Sequence, residues 1–141
     1  MGAIKRTTAD KHFSDCVRIA ANWTCQRCEK EYPEGHRQGL HCSHYVGRGN
    51  QATRYEPLNA ISLCYGCHQK MGSDPHAHTE LIREIIGEED FHILLERKNV
   101  IVRKADRPIK EIAKHYREQY KIMDDKRKAG EIGPLSFEGW L

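Results

Sequence analysis

The chain has 141 residues, 38% hydrophobic and 30% charged, with a formal net charge of +3, the size of a single domain with one extension. No apolar run approaches the roughly 18 residues of a membrane-spanning helix. The start, Met1-Gly2-Ala3-Ile4-Lys5-Arg6-Thr7, lacks the apolar stretch of an export signal. A membrane protein is thereby excluded, and a soluble, cytoplasmic chain with a thin core is expected.

In chain order, residues 8–21 read as a helix. Thr7 or Thr8 can cap it, Asp10 sits in its first turn, and Phe13, Cys16, Val17 and Ala20 recur at helical spacing. A polar turn at Tyr32-Pro33-Glu34-Gly35 precedes an expected strand over residues 40–46, and residues 47–54 have no apolar period and read as a loop. A short apolar stretch follows at residues 60–63, and a helix is expected to start near Cys67. Leu81, Ile82, Ile85 and Ile86 form one helical stripe, ended by Gly87, and Phe91, Leu94 and Leu95 form a second. Residues 99–102 read as briefly extended. Pro108 then opens a long helix with Ile109, Ile112, Tyr116, Tyr120 and Met123 on one face and Lys110, Lys114, Arg117 and Lys121 on the other. The fold class expected is α+β, with a core over residues 1–86 and a helical extension over residues 87–141.

Charge is unevenly spread. Residues 80–96 carry six acids against one base, whereas residues 97–128 carry twelve Lys/Arg against five Asp/Glu. A basic segment of that kind suits a polyanion such as DNA.

Six cysteines fall in a telling pattern: Cys25-Gln26-Arg27-Cys28 and Cys64-Tyr65-Gly66-Cys67 are CxxC pairs, with Cys16 and Cys42 outside them. Without an export signal, two such pairs indicate metal rather than disulfides. Each CxxC turn places two thiolates on one side of a tetrahedral zinc, so Cys25, Cys28, Cys64 and Cys67 are the expected ligands of one structural Zn2+. Cys42 could replace one ligand but has no CxxC partner; Cys16 lies on the apolar face of the first helix and reads as core.

Between and just after these pairs lie Leu40-His41-Cys42-Ser43-His44-Tyr45-Val46, Leu58-Asn59 and Cys67-His68. A histidine on a strand, an asparagine before the next strand and a histidine beside the second cysteine pair resemble the HNH (ββα-metal) endonuclease superfamily. Within it, Cys42 to Arg48, Asn50, Ala52-Thr53-Arg54-Tyr55, Asn59 and Cys64 to His68 are similar to the phage NinG/Rap recombination nucleases, over roughly residues 8–86. The resemblance implies a zinc-stapled ββα-metal core that hydrolyses DNA phosphodiester bonds in recombination or DNA processing, with branched DNA among the candidate substrates, in a bacterial host's cytoplasm if phage-encoded. It implies His44 as general base, His68 as ligand of a catalytic Mg2+ or Mn2+, Asn59 as a loop brace, and Arg48 and Arg54 as phosphate grips. His76 and His78 lie where a helix could turn a further ligand, His78 in particular, toward that metal. Many family members carry Asp or His directly before the base. Ser43 stands there instead, a poor ligand, and strand alternation puts His41 on the face opposite His44.

A second class of function keeps the zinc and the basic helix but makes His44 and His68 incidental: a non-catalytic module binding nucleic acid or a protein. A zinc deaminase is excluded, because its signature of His-x-Glu followed by Pro-Cys-x-x-Cys does not occur. Lys110, Lys114, Arg117 and Lys121 are expected to contact DNA backbone, and the apolar stripe beneath them could equally be a homodimer seam.

Overall fold

The computed structural model describes residues 4–140; residues 1–3, on which part of the reading of the N-terminus rests, lie outside that range. The chain is α+β. In order it forms α1 (Thr8–Ala20), β1 (Leu40–His44), β2 (Ala60–Cys64), α2 (Tyr65–Ser73), α3 (Pro75–Ile86), α4 (Glu88–Lys98) and α5 (Ile109–Lys128), with short 3-10 turns at Pro57–Asn59 and Lys104–Asp106. No helix among the described residues is long and apolar enough to cross a membrane.

α1 begins as its sequence dictates. Thr7 is the N-cap, accepting from the Asp10 backbone N–H, while the Asp10 carboxylate accepts from the Thr7 N–H at 2.7 Å, a complete capping box. β1 and β2 pair antiparallel, Leu40 opposite Cys64 and His44 opposite Ala60. β2 is buried at all five positions, because both α1 and α2 pack against the sheet. Alternation along β1 turns His44 toward Phe13 of α1, with ring centroids 5.9 Å apart, and His41 toward Tyr65 and His68 of α2.

Three local expectations shift. β1 ends at His44 rather than at residue 46, because the Val46 N–H donates to the Asn59 side chain instead of to a strand. α2 starts at Tyr65, with Cys64 as its N-cap and the Cys64 thiol accepting from the Cys67 N–H. Residues 99–100 form a turn, not an extended stretch, since the Asn99 and Val100 N–H groups bond back to the carbonyls of Glu96 and Arg97.

The boundary expected at residue 86 does not separate two cores. Ile112, Ala113, Tyr116 and Met123 of α5 share one core with Phe13, Cys16 and Val17 of α1. Tyr116 is fully buried, stacks edge-on to Phe13 at 5.0 Å and donates its hydroxyl to the Tyr55 carbonyl. The tail folds back over the same place: the Leu135 N–H donates to the Ala20 carbonyl, and Phe137 packs edge-on to both Phe13 and Tyr116. The α5 stripe is therefore covered within the chain and offers no free dimer seam.

Candidate metal centre and cationic cleft

The two CxxC turns meet although 35 residues separate them. The donor sulfurs of Cys25, Cys28, Cys64 and Cys67 all lie within 4.8 Å of one another, and among the described residues this is the one group of three or more metal-ligating side chains so gathered. Cys28 Sγ and Cys64 Sγ are 3.7 Å apart, against the about 3.8 Å expected between thiolates about 2.3 Å from a tetrahedral zinc. The surroundings suit thiolates. Backbone N–H groups of Cys28 and Cys67 point at Cys25 Sγ and Cys64 Sγ, and Arg27 Nη1 points at Cys67 Sγ from 3.4 Å. Burial alone would raise the Cys25 pKa, but backbone donors, that of Cys28 foremost, bring it down to about 7. The first knuckle is fastened to β2 by the Gln26 N–H to the Ser62 carbonyl and the Ser62 N–H to Gln26 Oε1. The group can hold a metal such as zinc.

Cys42 and Cys16 stand outside this group. Burial raises the Cys42 thiol to about 11, so it stays protonated at neutral pH, and it is not one of the four converging sulfurs. Cys16 is a core thiol that donates to the Tyr116 carbonyl.

Beside the knuckles lies a cleft of about 570 Å3 whose walls include His41, His44, His68, Arg6, Arg37 and Arg48. An adjoining cleft of about 440 Å3 shares His44 and His68 and adds Ser43 and His78. Among the described residues no carboxylate lines either one. Arg18 and Arg37 share the single carboxylate of Asp15, Arg37 through Nε and Nη2 at 2.8 and 2.9 Å. Arg6 and Arg48 have no ion-pair partner among the described residues. The cleft thus presents free positive charge beside imidazoles, an arrangement that favours phosphate.

His44 Nε2 lies 3.2 Å from the carbonyl oxygen of Arg54. A carbonyl only accepts, so Nε2 carries the proton and Nδ1 keeps its lone pair. Burial holds the His44 pKa down near 4, and the Arg48 charge adds to the effect; the ring is neutral at pH 7. Asn59, fully buried, braces the loop between the strands. Its Oδ1 accepts from the Val46 N–H at 2.7 Å, and its Nδ2 donates to the carbonyls of Val46 and Thr53 at 2.8 and 3.1 Å.

Of the residues expected at the site, His44, His68 and Arg48 border one cleft, and Asn59 supports the loop that shapes it. His78 borders the adjoining cleft, and its Nε2 is buried without a partner. His76 is exposed and pairs with Glu80 at 3.2 Å. Arg54 is a correction: its side chain is 3% exposed and bound to Asp10, so it cannot grip a phosphate. Lys110, Lys114, Arg117 and Lys121 are exposed on α5, as a basic face requires, with Lys121 near Asp125 at 3.5 Å.

His41 borders the same cleft. Alternation does put it on the face away from His44, but α2 covers that face, so His41 is the residue that meets His68. The His-x-x-His spacing of residues 41 and 44 was the available signal; Arg6, far off in sequence, had none. No protein-family model, curated protein or solved structure matches the chain.

Proposed function

We propose that the protein is a metal-dependent DNA endonuclease of the HNH type, which hydrolyses phosphodiester bonds in phage recombination or DNA processing, with branched DNA among its substrates. The observation that carries this reading is His44: a neutral imidazole with its tautomer set by a backbone carbonyl, bordering a carboxylate-free cationic cleft shared with His68. The order strand, strand, helix around these residues supports it further.

In this reading a DNA phosphate is drawn to the cleft by Arg48 and Arg6. His44 Nδ1 accepts the proton of the attacking water, while the Arg54 carbonyl keeps the ring oriented and takes up part of the charge that develops at Nε2–H. Asn59 keeps the loop, and with it the Arg54 carbonyl, in place. A divalent metal on His68 would supply positive charge for the scissile phosphate and its departing oxygen. The four-cysteine centre would carry zinc and staple β2 and α2 to the first knuckle.

The test is cleavage of supercoiled plasmid across a panel of divalent metals, wild type against His44→Ala. A metal-dependent wild-type activity that falls by about 100-fold or more in the variant supports the reading. Full cleavage by the variant sinks it. DNA binding without cleavage under every metal makes the protein a zinc-stapled nucleic-acid-binding module.

A further inference from the structure

His41 and His68 face each other through ring nitrogens: Nδ1 to Nδ1 is 2.9 Å, with the rings edge to face at 82°. Topology produces this contact, since His41 projects from β1 toward α2 and His68 from the first turn of α2 toward β1. One tautomer is set by backbone. His41 Nε2 is 2.9 Å from the Gln38 carbonyl, so it carries the proton and Nδ1 turns a lone pair toward His68. A carbonyl behind the far nitrogen is how metal-bound imidazoles are held in orientation.

We propose that His41 and His68 ligate one divalent ion through their facing Nδ1 atoms, and that this site takes a borderline transition metal of the nickel, cobalt or zinc class in preference to magnesium. The proposal rests on the metal-dependent endonuclease reading above and specifies which ligands and which metal that site uses.

Three observations carry it. First, two nitrogens at right angles about 2.1 Å from one ion stand about 3.0 Å apart, close to the 2.9 Å seen here. Second, neither cleft has a carboxylate among the described residues. Magnesium demands hard oxygen ligands and dehydrates reluctantly, whereas imidazole suits nickel and zinc. Arg6 and Arg48 nearby repel a bare cation, so only an ion with real affinity for nitrogen would stay, and a phosphate anion would relieve that repulsion. Third, Ser43, directly before His44, offers only a hydroxyl, a poor ligand, whereas His41 presents an imidazole nitrogen to His68. His78, with its Nε2 buried and unpartnered, puts another imidazole on the wall that His68 shares. On binding, the proton that His68 Nδ1 donates to His41 moves to His68 Nε2, so two neutral rings ligate without net proton release.

The experiment is calorimetric titration of zinc-loaded protein with Ni2+ and, separately, with Mg2+. The expected result is one further Ni2+ per chain, weakened by roughly tenfold or more in His41→Asn and in His68→Asn, with zinc content and circular dichroism unchanged and no heat of binding from Mg2+. Unchanged Ni2+ affinity in His41→Asn, or Mg2+ binding tighter than Ni2+, overturns the proposal. A wild-type readout guards against misfolded variants: in 15N-histidine spectra, a second equivalent of Zn2+ should move the Nδ1 resonances of both His41 and His68 to metal-bound positions. Movement of His68 alone would make His41 an orienting neighbour and end the proposal. The two readings fail separately. Ni2+ binding as expected with uncut DNA leaves the metal site and removes the nuclease; full Mg2+-dependent cutting by His41→Asn leaves the nuclease and removes the metal site.

Discussion

Arg54 grips both carboxylate oxygens of Asp10, Nε at 3.0 Å from Oδ1 and Nη2 at 2.6 Å from Oδ2. Both side chains are 3% exposed. The same Arg54 offers its backbone carbonyl to His44 Nε2, and Asp10 completes the capping box of α1. One ion pair therefore links the start of α1, the loop between the strands and the ring proposed as general base.

Removing one partner leaves a buried charge alone. Arg54→Ala should lower stability by about 3–5 kcal/mol, measured by urea denaturation. Arg54→Lys should recover only part of this, because an ammonium cannot repeat the two-pronged grip.

The pair also sets the acid response. Burial pushes the Asp10 pKa up, but the Arg54 and Thr7 hydrogen bonds outweigh it and hold the carboxyl below its ordinary 3.8. A lowered folded value means that the contribution is complete above the unfolded pKa and is lost as pH falls through the folded one. The urea midpoint of the wild type should therefore drop more steeply below about pH 4 than that of Asp10→Asn. Parallel curves would show that the pair does not govern acid unfolding.

Arg48 and Arg54 should now behave as opposites. Arg48→Ala leaves no buried partner exposed, so its stability should stay within about 0.5 kcal/mol of the wild type, while DNA binding and cleavage weaken. A DNA affinity equal to that of the wild type would remove Arg48 from the cleft's proposed role.

The four thiolates converge from chain segments far apart in sequence, and their mutual repulsion when ionised needs a cation. Stripping zinc with a strong chelator should abolish cooperative thermal unfolding, and Cys67→Ser should do the same at ordinary zinc concentrations. An unchanged melting curve in demonstrably zinc-free protein would contradict the metal centre.

The α5 face makes a separate demand. If Lys114 and Arg117 neutralise DNA phosphates, replacing both by alanine should reduce the slope of log affinity against log salt by about 0.9 for each phosphate left without its cation. An unaltered slope would place DNA elsewhere on the molecule.

What the sequence determined by itself is local. The CxxC turns were legible because two ligands within one turn define the geometry of half a metal site, and α1 because its capping box and apolar spacing lie together within residues 7–20. The brace role of Asn59 came from the family resemblance, and its partners, Val46 and Thr53, sit in the loop it closes. The tertiary structure decided what depends on distant partners. Nothing near Arg54 in sequence announces Asp10, 44 residues earlier, yet that carboxylate turns an expected phosphate grip into a buried strut. Strand alternation placed His41 and His44 on opposite faces, but only the docking of α2 determines which face receives His68. The apolar stripe of α5 looked available for a partner until α1 and the C-terminal tail covered it. Spacing along a chain specifies which groups share a turn or a face; which of the chain's charges remain free, and which imidazoles meet, is settled only when those faces pack.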